Sequence, residues 1–211
     1  MAQRAGEGPR RPRRTGADLT RLLCLGDSYT AGEAVAAAEA WPSVVAATIE
    51  GISLEVVAAT SWTCRELLDA IEDVGPEGPY DVVTVQVGVN DQYRGHPLKG
   101  FARDYAEVLA TATGLTVGPG WVIAVSIPDW SVTPHAADRD RAAVAADIDR
   151  FNEAACRAAE DHGAGWIDVT TSSREAADDP GLLAEDGLHP SAGMYLIWSE
   201  ALIPEILRRI S

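Results

Sequence analysis

A serine near the amino terminus, a histidine near the carboxyl terminus and two short polar segments between them are the parts of this sequence that could perform chemistry. Ser28 stands in Gly26-Asp27-Ser28-Tyr29-Thr30-Ala31-Gly32-Glu33, directly after a short apolar run. A serine hydroxyl is a weak nucleophile at neutral pH, so it needs a base within hydrogen-bond reach and a third group to orient that base. Taken alone, Ser28 reads more simply as a turn serine capping the next helix. The segment Asp186-Gly187-Leu188-His189-Pro190 supplies the missing pair. An acid three residues before a histidine can fold back onto the imidazole Nδ1, which leaves Nε2 free to take a proton. His96, His135 and His162 have no acid at that spacing followed by a stiffening proline.

Two further segments could stabilise a developing oxyanion. Asn90, in Gly88-Val89-Asn90-Asp91, offers a side-chain N–H, and losing one such donor typically costs about 2.7–4 kcal/mol of barrier. Thr60-Ser61-Trp62-Thr63 opens a helix whose first backbone N–H groups lack intrahelical partners, although capping is the simpler role for Ser61.

These segments need a scaffold that brings them together, and the hydrophobic pattern specifies one. Apolar runs at Leu22–Leu25, Leu54–Ala58, Val82–Val87, Val122–Ile127 and Gly165–Val169 alternate with stretches of helical period, the signature of repeated βαβ units. Several runs are apolar at consecutive positions, as in parallel strands covered on both faces. Helices are expected over Trp41–Glu50, Cys64–Val74 and Ser191–Ile203, and around the periodic sets Phe101/Tyr105/Val108/Leu109/Ala112 and Val144/Ile148/Phe151/Ala155. Ser191 is a candidate N-cap, and Pro204 is expected to kink the last helix or start a new one. The pattern predicts an α/β fold, a three-layer α/β/α sandwich with about five parallel strands and its ligand site at their carboxyl ends. Every chemical segment falls after a strand or just before the final helix.

The runs at 26–33, 88–91 and 186–190 resemble, in order and spacing, the blocks of the SGNH, or GDSL, hydrolase family. Asn90-Asp91-Gln92-Tyr93-Arg94-Gly95 and Ser126-Ile127-Pro128-Asp129-Trp130 with Thr133-Pro134 resemble a bacterial branch of it. The resemblance implies a flavodoxin-like SGNH fold and an esterase or lipase acting through an acyl-enzyme on Ser28. In that reading His189 and Asp186 complete the catalytic set, and the Ser28 N–H, the Ser61 N–H and the Asn90 side chain form the oxyanion hole. The sequence departs from the family at Ser61, where glycine is usual. A side chain there narrows the hole or demands a negative φ. Trp62, Tyr93, Trp130 and Met194 lie beside the blocks and are candidates to shape the substrate pocket, with core packing as their plainer role.

Composition bounds the rest. The 211-residue chain is long enough for one α/β domain, expected over 21–211. Residues 1–20 carry five arginines against Glu7 and Asp18, a net of +3 that leaves −18 on the remainder of a chain at −15. So basic and Pro/Gly-rich a stretch is expected to be a disordered tail. The acidic body disfavours nucleic acid, and no apolar run suits a membrane span. Cys24, Cys64 and Cys156 form neither a disulfide framework nor a CxxC site, so a cytoplasmic setting is expected. A small-molecule ester is the expected partner, with no cofactor and no metal. Two rivals remain: phosphoester cleavage at a metal held by Asp27, Asp91, Asp186 and His189, and a non-catalytic module binding an acyl or sugar ligand in the same crevice.

Overall fold

The computed structural model describes residues 19–211. Most of the basic amino-terminal stretch therefore lies outside the described residues, and the first strand starts at Thr20.

Five parallel strands form one sheet: β1 (Thr20–Gly26), β2 (Ile52–Ala58), β3 (Val82–Gln86), β4 (Val122–Val125) and β5 (Gly165–Ile167), in the order β2-β1-β3-β4-β5. The central strands are buried along their length, since Leu22 to Gly26, all of β3 and all of β4 are covered by helices on both faces. Edge strand β2 is only partly covered. Four long helices follow the strands: α2 (Trp41–Thr48), α3 (Cys64–Val74), α5 (Leu98–Gly114) and α6 (Arg141–Asp161). A fifth, α8 (Ala192–Ile210), closes the chain. Three one-turn helices lie at strand exits: α1 (Ser28–Ala31), α4 (Val89–Tyr93) and α7 (Thr170–Ser173). Helices α2 and α8 pack together on one face, and α3, α5 and α6 cover the other. The first layer centres on Trp41, Tyr195 and Trp198, the second on Phe101, Tyr105 and Phe151, whose Phe101–Phe151 ring centroids are 4.7 Å apart. This is the predicted three-layer sandwich, and among the described residues no helix is long and apolar enough to cross a membrane.

Several expected element boundaries move, most by a residue or two, and three of the shifts have a clear local reason. Strand β4 ends at Val125, two residues early, because the Asn152 side chain from α6 takes over as neighbour. It accepts the Ile127 N–H at 2.7 Å and donates to the Ile127 carbonyl at 2.9 Å. Strand β5 likewise stops at Ile167, where Asp168 turns to accept the Thr170 N–H at 2.7 Å. Helix α8 continues through Pro204 to Ile210, so no new helix starts there. Pro204 lies on the exposed side, and the carbonyl it leaves unpaired belongs to exposed Glu200, where solvent can satisfy it. Ser191 caps this helix, accepting from the Met194 N–H.

Strands β2 and β3 leave β1 on opposite sides, so the chain reverses direction there. In such sheets a crevice opens at the carboxyl ends beside that reversal. The turns after β1, β2 and β3 carry Ser28, Ser61 and Asn90 to this crevice.

Candidate active site

Asp27 starts the site. Its side chain accepts the Tyr29 N–H at 3.0 Å and caps α1, which presents Ser28 at the strand exit. The Ser28 Oγ lies 3.1 Å from Nε2 of His189. On the other side of the ring, Nδ1 of His189 is 2.6 Å from Asp186 Oδ2. Asp186 reaches back because its second oxygen accepts the Leu188 and His189 N–H groups, both at 3.0 Å, and because Gly187 takes a φ of +67° that side chains rarely tolerate. Ser28 and His189 are buried, whereas the Asp186 side chain is 37 % exposed. Partial burial alone pushes the Asp186 carboxyl up, but the His189 contact and the two amides outweigh it and hold it below the ordinary aspartate value. The acid therefore remains a carboxylate facing the ring.

On the opposite side of Ser28, Asn90 Nδ2 donates to the Trp62 carbonyl at 2.9 Å, which fixes the carboxamide with one amide proton to spare. Gly88 permits this turn. Its φ is +126°, and a Cβ there would lie 2.6 Å from the Phe101 ring. Ser61 has φ +71°. Of the two expected consequences of a serine there, the negative φ therefore does not occur, and position 61 keeps the left-handed backbone of a glycine despite its side chain. Such a conformation costs about 1–2 kcal/mol in a non-glycine residue. Among the described residues, neither the Ser28 nor the Ser61 N–H donates to a protein acceptor.

These groups line an open cleft walled by Tyr29, Tyr93, Trp130, His135 and Leu188. Tyr93 and Trp130 thus stand where the sequence suggested. Trp62 and Met194 do not. Trp62 packs against the core and its carbonyl accepts from Asn90, and buried Met194 lines a second, smaller pocket with Leu182, Leu183 and Trp198. His135 was passed over in the sequence for want of an acidic neighbour. Its Nε2 lies 3.4 Å from the Tyr93 hydroxyl, and its position directly after Thr133-Pro134 was the available clue. Gln92 is a second missed contributor. It accepts the Trp130 indole N–H at 2.9 Å and donates to Asp147 at 2.9 Å, fixing the aromatic wall.

The four residues of the metal alternative do not converge, and among the described residues no three His, Cys, Asp or Glu side chains do. Asp186 is committed to His189, Asp27 caps α1, and Asp91 accepts the Cys64 N–H at 2.9 Å and faces His96 Nδ1 at 3.2 Å.

Asp27 also yields a stability prediction. Burial pushes its carboxyl up, the Tyr29 amide opposes this, and the Asp91 charge adds to the rise, leaving it at about 7 against an ordinary 3.8. The folded value exceeds the unfolded one, so the proton favours the fold. That contribution is complete below pH 3.8, is lost as pH rises towards 7, and is absent above it. Asp27→Asn keeps the cap acceptor and removes the ionisation. Denaturant titrations are expected to find it more stable than the parent at pH 8, on the order of 2–4 kcal/mol, with little difference at pH 4.

The sheet order and the flanking helices are those of the SGNH hydrolase fold. The chain belongs to the GDSL-like lipase/acylhydrolase family, whose sequence profile matches residues 24–197. A comparison with curated proteins found no match. Among solved structures, a lipolytic G-D-S-L family protein from Veillonella parvula superposes with a TM-score of 0.75 at 19% identity, covering 89% of this chain and 98% of its own. The acetylxylan esterase Axe2 from Geobacillus stearothermophilus gives 0.68 at 20% identity, over 90% and 94%. The esterase EstA from Pseudoalteromonas sp., in a structure inhibited by monoethylphosphonate, gives 0.65 at 18% identity, over 90% and 98%.

Proposed function

We propose that this chain is a serine esterase that cleaves small carboxylic esters through an acyl-enzyme on Ser28. One observation carries the reading: the Ser28 hydroxyl sits 3.1 Å from an imidazole nitrogen whose ring is held by a carboxylate 2.6 Å away, on the floor of an open cleft. In the first half-reaction Ser28 Oγ bonds to the ester carbonyl carbon as His189 Nε2 takes its proton. The negative oxygen of the tetrahedral intermediate lies between the Ser28 N–H, the Ser61 N–H and the free Asn90 amide proton. The bond to the alkoxy oxygen then breaks, and His189 returns the proton to the departing alcohol. Water repeats the cycle and releases the acid. Asp186 fixes the ring tautomer and faces the imidazolium that forms in each half.

The cleft favours short acyl groups. Tyr29, Trp130 and Leu188 border both the cleft and a smaller pocket beside Met194, so their side chains stand between Ser28 and that neighbouring space. A series of 4-nitrophenyl esters is expected to give kcat/KM at least about tenfold higher for acetate or butyrate than for octanoate, with fluorophosphonate labelling of Ser28. Preference for octanoate would replace the short-acyl reading with a lipase-like groove. No turnover and no labelling, with ligand still bound, would leave a binding module.

A further inference from the structure

Ser61 and Ala34 are the two non-glycine residues with positive φ among the described residues. Ala34 lies in the turn after α1, outside the cleft. Ser61 lines the cleft, in a backbone conformation that persists only where the surroundings over-determine it. Its surroundings do so from one short element. The Ser61 carbonyl accepts from Arg94 Nη2 at 2.5 Å. The next carbonyl, of Trp62, accepts from Asn90 at 2.9 Å. Both donors come from α4 and its C-cap, so the peptide groups on either side of Trp62 hang from the turn that carries Asn90. Arg94 is itself held. Its Nη1 pairs with Glu66 at 3.1 Å, and the same Glu66 oxygen accepts the Thr63 N–H at 2.8 Å and the Thr63 hydroxyl at 2.9 Å. Thr60, on the other flank, donates through its hydroxyl to Glu33. Every residue from 60 to 63 is therefore tied by a polar bond.

We propose that Arg94 is a positioning residue that compensates for a serine where the backbone asks for glycine, holding Ser61 left-handed so that its N–H faces the reaction centre. The inference rests on the esterase reading above, because it gives that N–H its task. A half-exposed Arg–Glu pair alone contributes little to stability. The distinctive bond is the one to the Ser61 carbonyl, because it restrains rotation beside the strained φ. Without it, Ser61 can relax towards negative φ and turn the donor away.

A double-mutant cycle on the full chain, with 4-nitrophenyl acetate, tests the proposal. Arg94→Ala is expected to lower kcat about tenfold or more with KM within about twofold, as displacement of one oxyanion donor does. Ser61→Gly keeps the backbone N–H and supplies the reference kcat for the second arm of the cycle, because glycine takes this φ freely. In the Ser61→Gly background, Arg94→Ala is expected to cost less than about threefold, since there is no strain to hold. Arg94→Gln retains a donor for the Ser61 carbonyl and is expected to recover part of the loss. It also carries the comparison in both backgrounds if Arg94→Ala does not fold. Equal losses with serine and with glycine at 61, or no loss at all, would overturn the positioning role. Full turnover in Ser28→Ala would instead overturn the esterase reading, so the two failures are distinguishable.

Discussion

Ser28→Ala is expected to lower kcat on a short aryl ester by about 10⁴–10⁶-fold, to the level set by binding and oxyanion donors alone. The size follows from what the hydroxyl does: without it no acyl-enzyme forms, and the water that could replace it lacks the 3.1 Å placement against His189. The fold should tolerate the change. Asp27 caps α1 through the Tyr29 N–H, so the local backbone does not depend on the serine side chain, whose described bond is the one to His189. Thermal unfolding is therefore expected to shift by only a few degrees while activity disappears. Groups that act as one unit do not add, so His189→Ala should cost a similar factor and the double variant little more. An additive double variant would mean that the two act in separate steps. Ser28→Ala turnover near that of the parent would end the assignment.

Asn90→Ala is the second large effect, expected to reduce kcat by about 10²–10³-fold with a small change in KM. The carboxamide can give one proton to the Trp62 carbonyl and the other to the cleft, and the second gains importance only as the carbonyl oxygen of the substrate becomes charged. Asn90→Asp separates this from shape. It is nearly isosteric but accepts only, so it opposes an oxyanion and sets a carboxylate against the Trp62 carbonyl. It should be at least as inactive as the alanine variant. A rise in KM with kcat retained would instead place Asn90 in ground-state binding.

The sheet was legible because its central strands are apolar on both faces, a pattern that survives without tertiary information. Helix α3 matched residue for residue, since Thr63 and Glu66 cap it reciprocally and Gly75 ends it with φ +62°. The return of Asp186 to His189 was also legible, being local and dependent on three residues of spacing. Side-chain direction was not. Trp62 and Met194 adjoin the polar segments in sequence, but one packs against the core and the other lines a second, smaller pocket. Arg94 and Gln92 were visible only as letters of a motif, because their partners, the Ser61 carbonyl and the Trp130 indole, lie 33 and 38 residues away. The positive φ of Ser61 was equally hidden, since it is no local preference of serine and the donor on its carbonyl comes from Arg94.

Helix α4 has five residues, yet its side chains and C-cap hold the Trp62 carbonyl, the Trp130 indole and the Ser61 carbonyl. Anyone enlarging this enzyme's substrate range inherits that linkage: trimming Trp130 leaves the Gln92 side-chain oxygen without its donor and is expected to loosen the turn that aims Asn90. Tyr93 is on the same turn but 46% exposed, and the bond shown for its hydroxyl is the long one to His135. Libraries aimed at bulkier alcohols should therefore vary Tyr93 and His135 first, where room can be made without disturbing the machinery behind it.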